Sequence, residues 1–282
     1  MSDQALEEVL TAGAGGRVFS ILTLPANRSS VDTVFVFLNA GLVHRVGPSR
    51  MNVRMARRLA TQGFGSVRVD LTGKGDTPAR LDVDYLATVQ EDFSDLRAAI
   101  ASRLGEVRYV LAGLCSGADN VVRLALAHED VVGMLLLDPM CYPDPHYQRW
   151  AFADRYLRWR QYSGKLRSLL SRRNTSDSAT SDAHTGEDED PLQLRELPSR
   201  EQTVDAVRIV EERGGTTLAI FTSYADLYYK HRGQFEKTTY PAAFAGCSRE
   251  LWWREVKHTY KSLIHIERLE QTVADWAKQF VR

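Results

Sequence analysis

Apolar residues recur along this chain in two alternating rhythms. Short runs of β-branched and aromatic residues are followed by longer stretches with apolar positions three and four apart. Runs of the first kind read as strands and stretches of the second as helices. Arg17 to Leu24 reads as an early strand. Thr33 to Leu38 (TVFVFL) is nearly all apolar, as a strand covered on both faces should be. It ends at Asn39-Ala40-Gly41, and Pro48 then opens a helix carrying Met51, Met55, Leu59 and Ala60. A second buried strand, Gly63 to Leu71 with SVRVDL at its core, leads to a glycine turn at Gly73 and Gly75. Leu86, Val89, Phe93, Leu96 and Ile100 mark the stripe of the next helix. Val107 to Ala112 is a third strand, Asn120 to His128 a helix, and Val131 to Leu137 (VVGMLLL) a fourth strand. Alternation of this kind predicts an α/β fold, a mostly parallel sheet flanked by helices.

The rhythm breaks after Leu137. From Cys141 to about Pro198 no strand is signalled. Tyr147 to Leu170 is rich in aromatics and arginines and reads as helical, while 171–190 (SRRNTSDSATSDAHTGEDED) has almost no apolar residue and reads as disordered. Regular alternation returns at Glu201 with a helix to Arg213. A strand Thr217 to Phe221, a helix near Leu227 to Arg232, a strand Arg249 to Val256 and a closing helix Leu263 to Phe280 follow. Residues 1–140 and 199–282 are therefore expected to form the core, with 141–198 a cap inserted over one end of the sheet. No internal repeat is visible.

Charge narrows the classes of partner. Lys plus Arg and Asp plus Glu both count 36, so the formal net charge is zero. That balance gives no electrostatic case for a nucleic acid. No run approaches the roughly 20 apolar residues of a membrane span. The segment MSDQALEEVL lacks a basic-then-apolar leader pattern, and three cysteines cannot all pair within one chain. Free thiols and a cytoplasmic location are the expectation. No cofactor or metal is expected. The glycine turn at Gly73 and Gly75 lacks a dinucleotide or P-loop pattern, and Cys141 stands alone with His146.

Chemistry gathers at Gly113-Leu114-Cys115-Ser116-Gly117, between a buried strand and a helix. In a strand-to-helix elbow the central residue turns so sharply that its neighbours two positions away must be glycine. The central residue here is Cys115, and the helix start beneath it favours a thiolate. A glycine turn beside an ordinary buried cysteine would have the same five letters. The strand before it and the helix after it favour the elbow. Ser116 is a rival nucleophile, but the glycines centre on Cys115. An elbow nucleophile needs an acid and a histidine, following it in that order. His258 fits the base, after the last strand and before the last helix. Asp226, five residues past Phe221, fits the acid; Asp138, just past VVGMLLL, is its rival. Oxyanion donors are expected from the N–H of Ser116 and from the turn after TVFVFL, with Ala40 the choice there.

These pieces resemble the α/β-hydrolase superfamily, in its serine-aminopeptidase or lysophospholipase-like branch. The resemblance rests on NAG (39–41), HRVGPSR (44–50), RVDLTGKGDT (68–77), GLCSGAD (113–119), SYAD (223–226) and KHTY (257–260). HRVGP with GLCSGAD also looks like a group of bacterial hydrolases found beside exosortase systems. The resemblance implies a triad at Cys115, Asp226 and His258, an oxyanion hole at Ala40 and Ser116, and a cap after the fourth strand. Cysteine replaces the usual serine, as in dienelactone hydrolases and polyhydroxyalkanoate synthases, which puts ordinary lipase or peptidase activity in doubt. The expectation is an acyl-transfer enzyme, hydrolase or acyltransferase, working through a Cys115 thioester. Its substrate would be a small acyl ester or thioester, free or bound to CoA or a carrier protein. Aromatics of the insertion (Tyr142, Tyr147, Trp150, Phe152, Tyr156, Trp159, Tyr162) could wall an acyl pocket or simply pack the cap. The competing class is a degenerate hydrolase fold serving as a binding or scaffold protein.

Overall fold

A computed structural model describes residues 5–26, 31–150, 152 and 196–281. Among these residues eight strands form one sheet: β1 (Leu6–Ala12), β2 (Val18–Leu24), β3 (Thr33–Phe37), β4 (Gly65–Asp70), β5 (Arg108–Leu114), β6 (Val131–Leu137), β7 (Thr216–Thr222) and β8 (Arg249–Trp253). Their order across the sheet is β1-β2-β4-β3-β5-β6-β7-β8. β1 and β2 pair antiparallel, as do β2 and β4; every pairing from β4 to β8 is parallel. The helices are α1 (Met51–Ala60), α2 (Tyr85–Leu104), α3 (Ser116–Ala127), α4 (Arg200–Glu212), α5 (Gln234–Thr238), α6 (Pro241–Ala245) and α7 (Leu263–Ala277). This is the predicted α/β fold, a mostly parallel sheet between helical layers.

The residues of β3 explain why two layers are needed. Successive side chains of a strand point to opposite faces. Val34 and Val36 pack with Phe93 of α2, Val121 of α3 and Val207 of α4. Phe35 and Phe37 pack with Met51 and Met55 of α1 and Trp276 of α7. Phe35 meets Phe64, Trp276 and Phe280 edge-on, with ring centroids 5.4, 6.3 and 6.0 Å apart. All five residues of β3 and all seven of β6 are buried, which accounts for their continuous apolar runs.

The structure differs from the sequence expectation at β1 and between β7 and β8, where α5 and α6 stand in place of one helix at Leu227 to Arg232. β1 was not signalled, because most of its side chains are exposed and LEEVLTA does not alternate cleanly. Leu227 to Arg232 is not a helix. A 3₁₀ turn, Ser223–Leu227, ends there, and α5 begins only at Gln234. Tyr229 instead stacks on Phe221, with centroids 4.1 Å apart, and Tyr228 donates to the carbonyl of Asp138 at 3.2 Å. Residues 153–195, which hold most of the expected cap with Tyr156, Trp159, Tyr162 and the polar run, lie outside the described residues. No helix among the described residues is long and apolar enough to cross a membrane.

Topology selects the place for a site. The crossover through α1 leads from β3 to β4 on one side, and α2 returns the chain to β5 on the other. β3 and β5 are therefore neighbours whose connections leave in opposite directions. In open parallel sheets ligands bind outside the carboxyl ends of strands at such a switch point.

Candidate active site

The turn after β3 and the turn after β5 meet at that switch point. Cys115 is the N-cap of α3, with φ 56° and ψ −120°. A non-glycine residue pays of order 1–3 kcal/mol for backbone of this kind, and such strain collects where function holds it in place. The flanking glycines are sterically required. A Cβ on Gly113 would lie 2.2 Å from the carbonyl carbon of Gly117, and one on Gly117 would lie 2.6 Å from the carbonyl oxygen of Asn39. The elbow therefore packs backbone to backbone, both on itself and on the Asn39-Ala40-Gly41 turn.

His258 follows β8 and reaches back over the elbow. The Cys115 side chain is one of the groups that raise the His258 pKa, and His258 Nδ1 pairs with Asp138 Oδ2 at 2.7 Å. Tyr224 stacks on the imidazole, with centroids 4.1 Å apart and planes 27° apart. Burial alone would pull the histidine pKa down. The hydrogen bonds and charges of Asp138 and Cys115 outweigh it, so His258 is raised to about 9.

The carboxylate on His258 belongs to Asp138, not to Asp226. Asp138 is the first residue past β6, fully buried, with φ 48°. Its N–H donates to the carbonyl of Ile220 at 2.8 Å. Its side chain accepts the Thr222 N–H at 2.6 Å and the Thr222 hydroxyl at 2.7 Å. Three donors thus converge on one buried carboxylate, His258 among them. Asp226, in the turn after β7, faces away: its Oδ2 lies 3.6 Å from Arg254 Nη2, and its Oδ1 is buried with no hydrogen-bond partner.

Ala40 and Ser116 border the same space. Neither N–H donates to a group of the described backbone, whereas Cys115 N–H is spent on the Leu137 carbonyl at 2.8 Å. Gly41 N–H donates to Ser116 Oγ at 2.8 Å. Asn39 fixes the turn from below: its amide donates to Val43 O at 3.0 Å and to Asp70 Oδ1 at 3.1 Å, and its Oδ1 accepts the Leu71 N–H at 2.8 Å. Asp70, buried, also accepts from Arg45 N–H at 2.6 Å, and Arg45 bridges on to Asp76 at 2.7 Å. The HRVGPSR segment is thereby tied to the turn after β4. Its Ser49 donates to the Thr259 carbonyl at 3.2 Å, beside His258. Sequence reasoning missed Thr222, Tyr224 and the side-chain hydroxyl of Ser116. Thr222 is the polar last residue of a buried strand, the one hint available, and its partner lies 84 residues away.

Residues 40–217 match the family described as Serine aminopeptidase, S33. No curated protein matches the chain. Several solved structures share its fold. A dienelactone hydrolase from Anabaena variabilis has 12% identity and a TM-score of 0.60, over 99% of this chain and 100% of that one. A cold-adapted esterase from an Arctic intertidal metagenomic library has 12% identity and a TM-score of 0.58, over 100% and 97%. A lidless α/β serine hydrolase from Xanthomonas campestris has 13% identity and a TM-score of 0.53, over 100% and 97%. The family match runs from the turn after β3 into β7, taking in the elbow and Asp138. On that match this chain belongs to the serine aminopeptidase family of α/β hydrolases and is a hydrolase-class enzyme.

Proposed function

We propose that this enzyme cleaves acyl esters or thioesters through a covalent thioester on Cys115, with His258 as proton carrier, Asp138 as its orienting acid, and the N–H groups of Ala40 and Ser116 as the oxyanion hole. Asp138 takes the role that spacing alone assigns to Asp226. The observation carrying this reading is the imidazole of His258, which holds a buried carboxylate at 2.7 Å and whose pKa is raised by Asp138 together with the elbow Cys115. A thiolate on Cys115 faces an imidazolium on His258, whose raised pKa keeps it protonated at neutral pH.

The thiolate attacks the acyl carbonyl, and the carbonyl π electrons move onto oxygen, where the two N–H groups receive them. Collapse of this tetrahedral adduct breaks the bond to the leaving alkoxide or thiolate, which takes the proton from His258. Water then gives a proton to His258 and attacks the thioester. Cys115 leaves as thiolate and the acid is released. Asp138 holds the ring in its productive tautomer throughout.

Cysteine in place of serine favours a second outcome of the same intermediate. A thioester reacts readily with amines and thiols, so an acceptor bound beside Cys115 would compete with water, and a donor thioester of CoA or a carrier protein would exchange at little energetic cost. Hydrolysis of a panel of p-nitrophenyl esters and acyl thioesters, with and without added amine or thiol, tests both. Cys115→Ala and His258→Ala should each lose at least about 10³-fold in turnover. Full activity in Cys115→Ala would remove the reading.

A further inference from the structure

Gly41, the residue after Ala40, is held at both its backbone polar groups. Its N–H donates to Ser116 Oγ at 2.8 Å and its carbonyl accepts from Lys74 Nζ at 2.7 Å. Packing does not hold it there. Gly41 has φ 53°, a Cβ at that position would meet nothing within 4 Å, and the next residue, Leu42, is 86% exposed. A turn this open is set by its hydrogen bonds.

Resting on the reading of Cys115 as an oxyanion-forming nucleophile, we propose that Lys74 and the Ser116 hydroxyl are positioning residues that clamp the two peptide groups flanking the Gly41 Cα and so hold the Ala40 N–H where an oxyanion forms. Ser116 has a double part. Its N–H is one oxyanion donor, and its hydroxyl fixes the turn that carries the other. The separation of the two donors is thus set through one residue. A few tenths of an ångström matter here, because a donor stabilises the oxyanion only at hydrogen-bond distance from where charge develops.

Lys74 is itself built in place. It sits in the tight turn after β4, its N–H donating to Leu71 O at 2.9 Å and its carbonyl accepting from Thr77 N–H at 3.0 Å. Its ammonium lies 5.1 Å over the ring of Tyr85, at the start of α2. The Tyr85 hydroxyl accepts from Asn120 at 2.9 Å, and Asn120 is one turn along α3 from Ser116. Both arms of the clamp therefore trace back to the helix that carries the nucleophile. Burial lowers the Lys74 pKa, as expected for an ammonium withdrawn from water to serve a carbonyl.

Two reagents separate this role from a general structural one. Acylation of Cys115 by p-nitrophenyl acetate builds an oxyanion; alkylation by iodoacetamide displaces iodide and builds none. Both need the same thiolate. Peptide-level mass spectrometry follows each rate at Cys115, and buried Cys141 reports folding by staying unlabelled. Lys74→Met and Ser116→Ala should each slow acylation about ten-fold or more, with alkylation within about two-fold of wild type. Lys74→Arg, which keeps a donor, should recover most of the acylation rate. Equal losses with both reagents, or no loss of acylation in either variant, would overturn the clamp. Wild-type Cys115 that reacts with neither reagent would instead overturn the nucleophile reading and the clamp with it. A labelled Cys141 in Lys74→Met moves the decision to Ser116→Ala and Lys74→Arg.

Discussion

Asp138 is the residue whose proposed role separates most sharply from what spacing suggests. Both aspartates follow buried strands, and in sequence Asp226 has the better distance to His258. What decides is the donor set. Thr222 supplies an N–H and a hydroxyl to Asp138, while Asp226 meets an arginine. Asp138→Asn should therefore cost about 10³- to 10⁴-fold in turnover, and Asp226→Asn less than about ten-fold. A larger loss from Asp226→Asn in steady-state ester hydrolysis would return the role to Asp226. The same contact predicts a pH dependence of stability. The folded pKa of His258, about 9, lies above its ordinary value. The native state therefore gains stability that is full below about 6.5 and lost as pH rises through about 9. Urea denaturation of wild type and His258→Gln should show a gap up to about 3 kcal/mol wider at pH 6 than at pH 10. A gap that is flat or widens with pH would contradict the Asp138–His258–Cys115 contact. At this scale the elbow at Cys115, and the positions of His258, Ala40 and Ser116 around it, were legible because glycine spacing and strand ends mark them. Thr222 and Tyr224 were not, because nothing local records which carboxylate or ring a residue will meet across the sheet.

Among the elements, the elbow between β5 and α3 carries the most constraint. Its glycines are not there for flexibility: a methyl on Gly117 would strike the carbonyl of Asn39 at 2.6 Å. Gly117→Ala must push the Asn39-Ala40-Gly41 turn, the proposed oxyanion turn, away from the elbow. It should lower Tm by several degrees and slow acylation of Cys115 at least ten-fold. Wild-type Tm and rate in that variant, measured by calorimetry and ester burst, would show that the two turns are not in contact. β3 and β6 could be read because strands covered on both faces leave unbroken apolar runs. Leu227 to Arg232 could not. Its LYYKHR run fits a helix, but Tyr228 and Tyr229 are drawn into separate partners, the Asp138 carbonyl and the Phe221 ring. Tertiary contacts override local propensity there.

At the scale of the whole molecule, the sheet brings distant turns to one end, and the switch point between β3 and β5 sets the Asn39-Ala40-Gly41 turn against the elbow. The opposite demand falls on the antiparallel flank, where β1 was invisible in the sequence yet has a task. Glu7 of β1 reaches across β2 to Arg68 of β4, at 2.9 Å; Arg68 is buried, and Glu7 is its carboxylate partner. Removing this carboxylate, itself on the exposed edge, leaves the buried Arg68 charge uncompensated. Glu7→Gln should cost about 2 kcal/mol, several degrees in Tm. Glu8→Gln, which breaks an exposed pair with Arg103, should cost under about 0.5 kcal/mol. Equal Tm values for the two variants would show that β1 does not anchor Arg68.

The central claim is that an acyl group passes through sulfur at Cys115. Intact-mass spectrometry after brief incubation with a panel of acyl esters and thioesters tests it most directly. The account predicts a mass increase equal to the acyl group, located on Cys115 by peptide mapping, released by neutral hydroxylamine as a thioester should be, and missing in Cys115→Ala. An adduct on Ser116 or elsewhere, or turnover in Cys115→Ala equal to wild type, would contradict it.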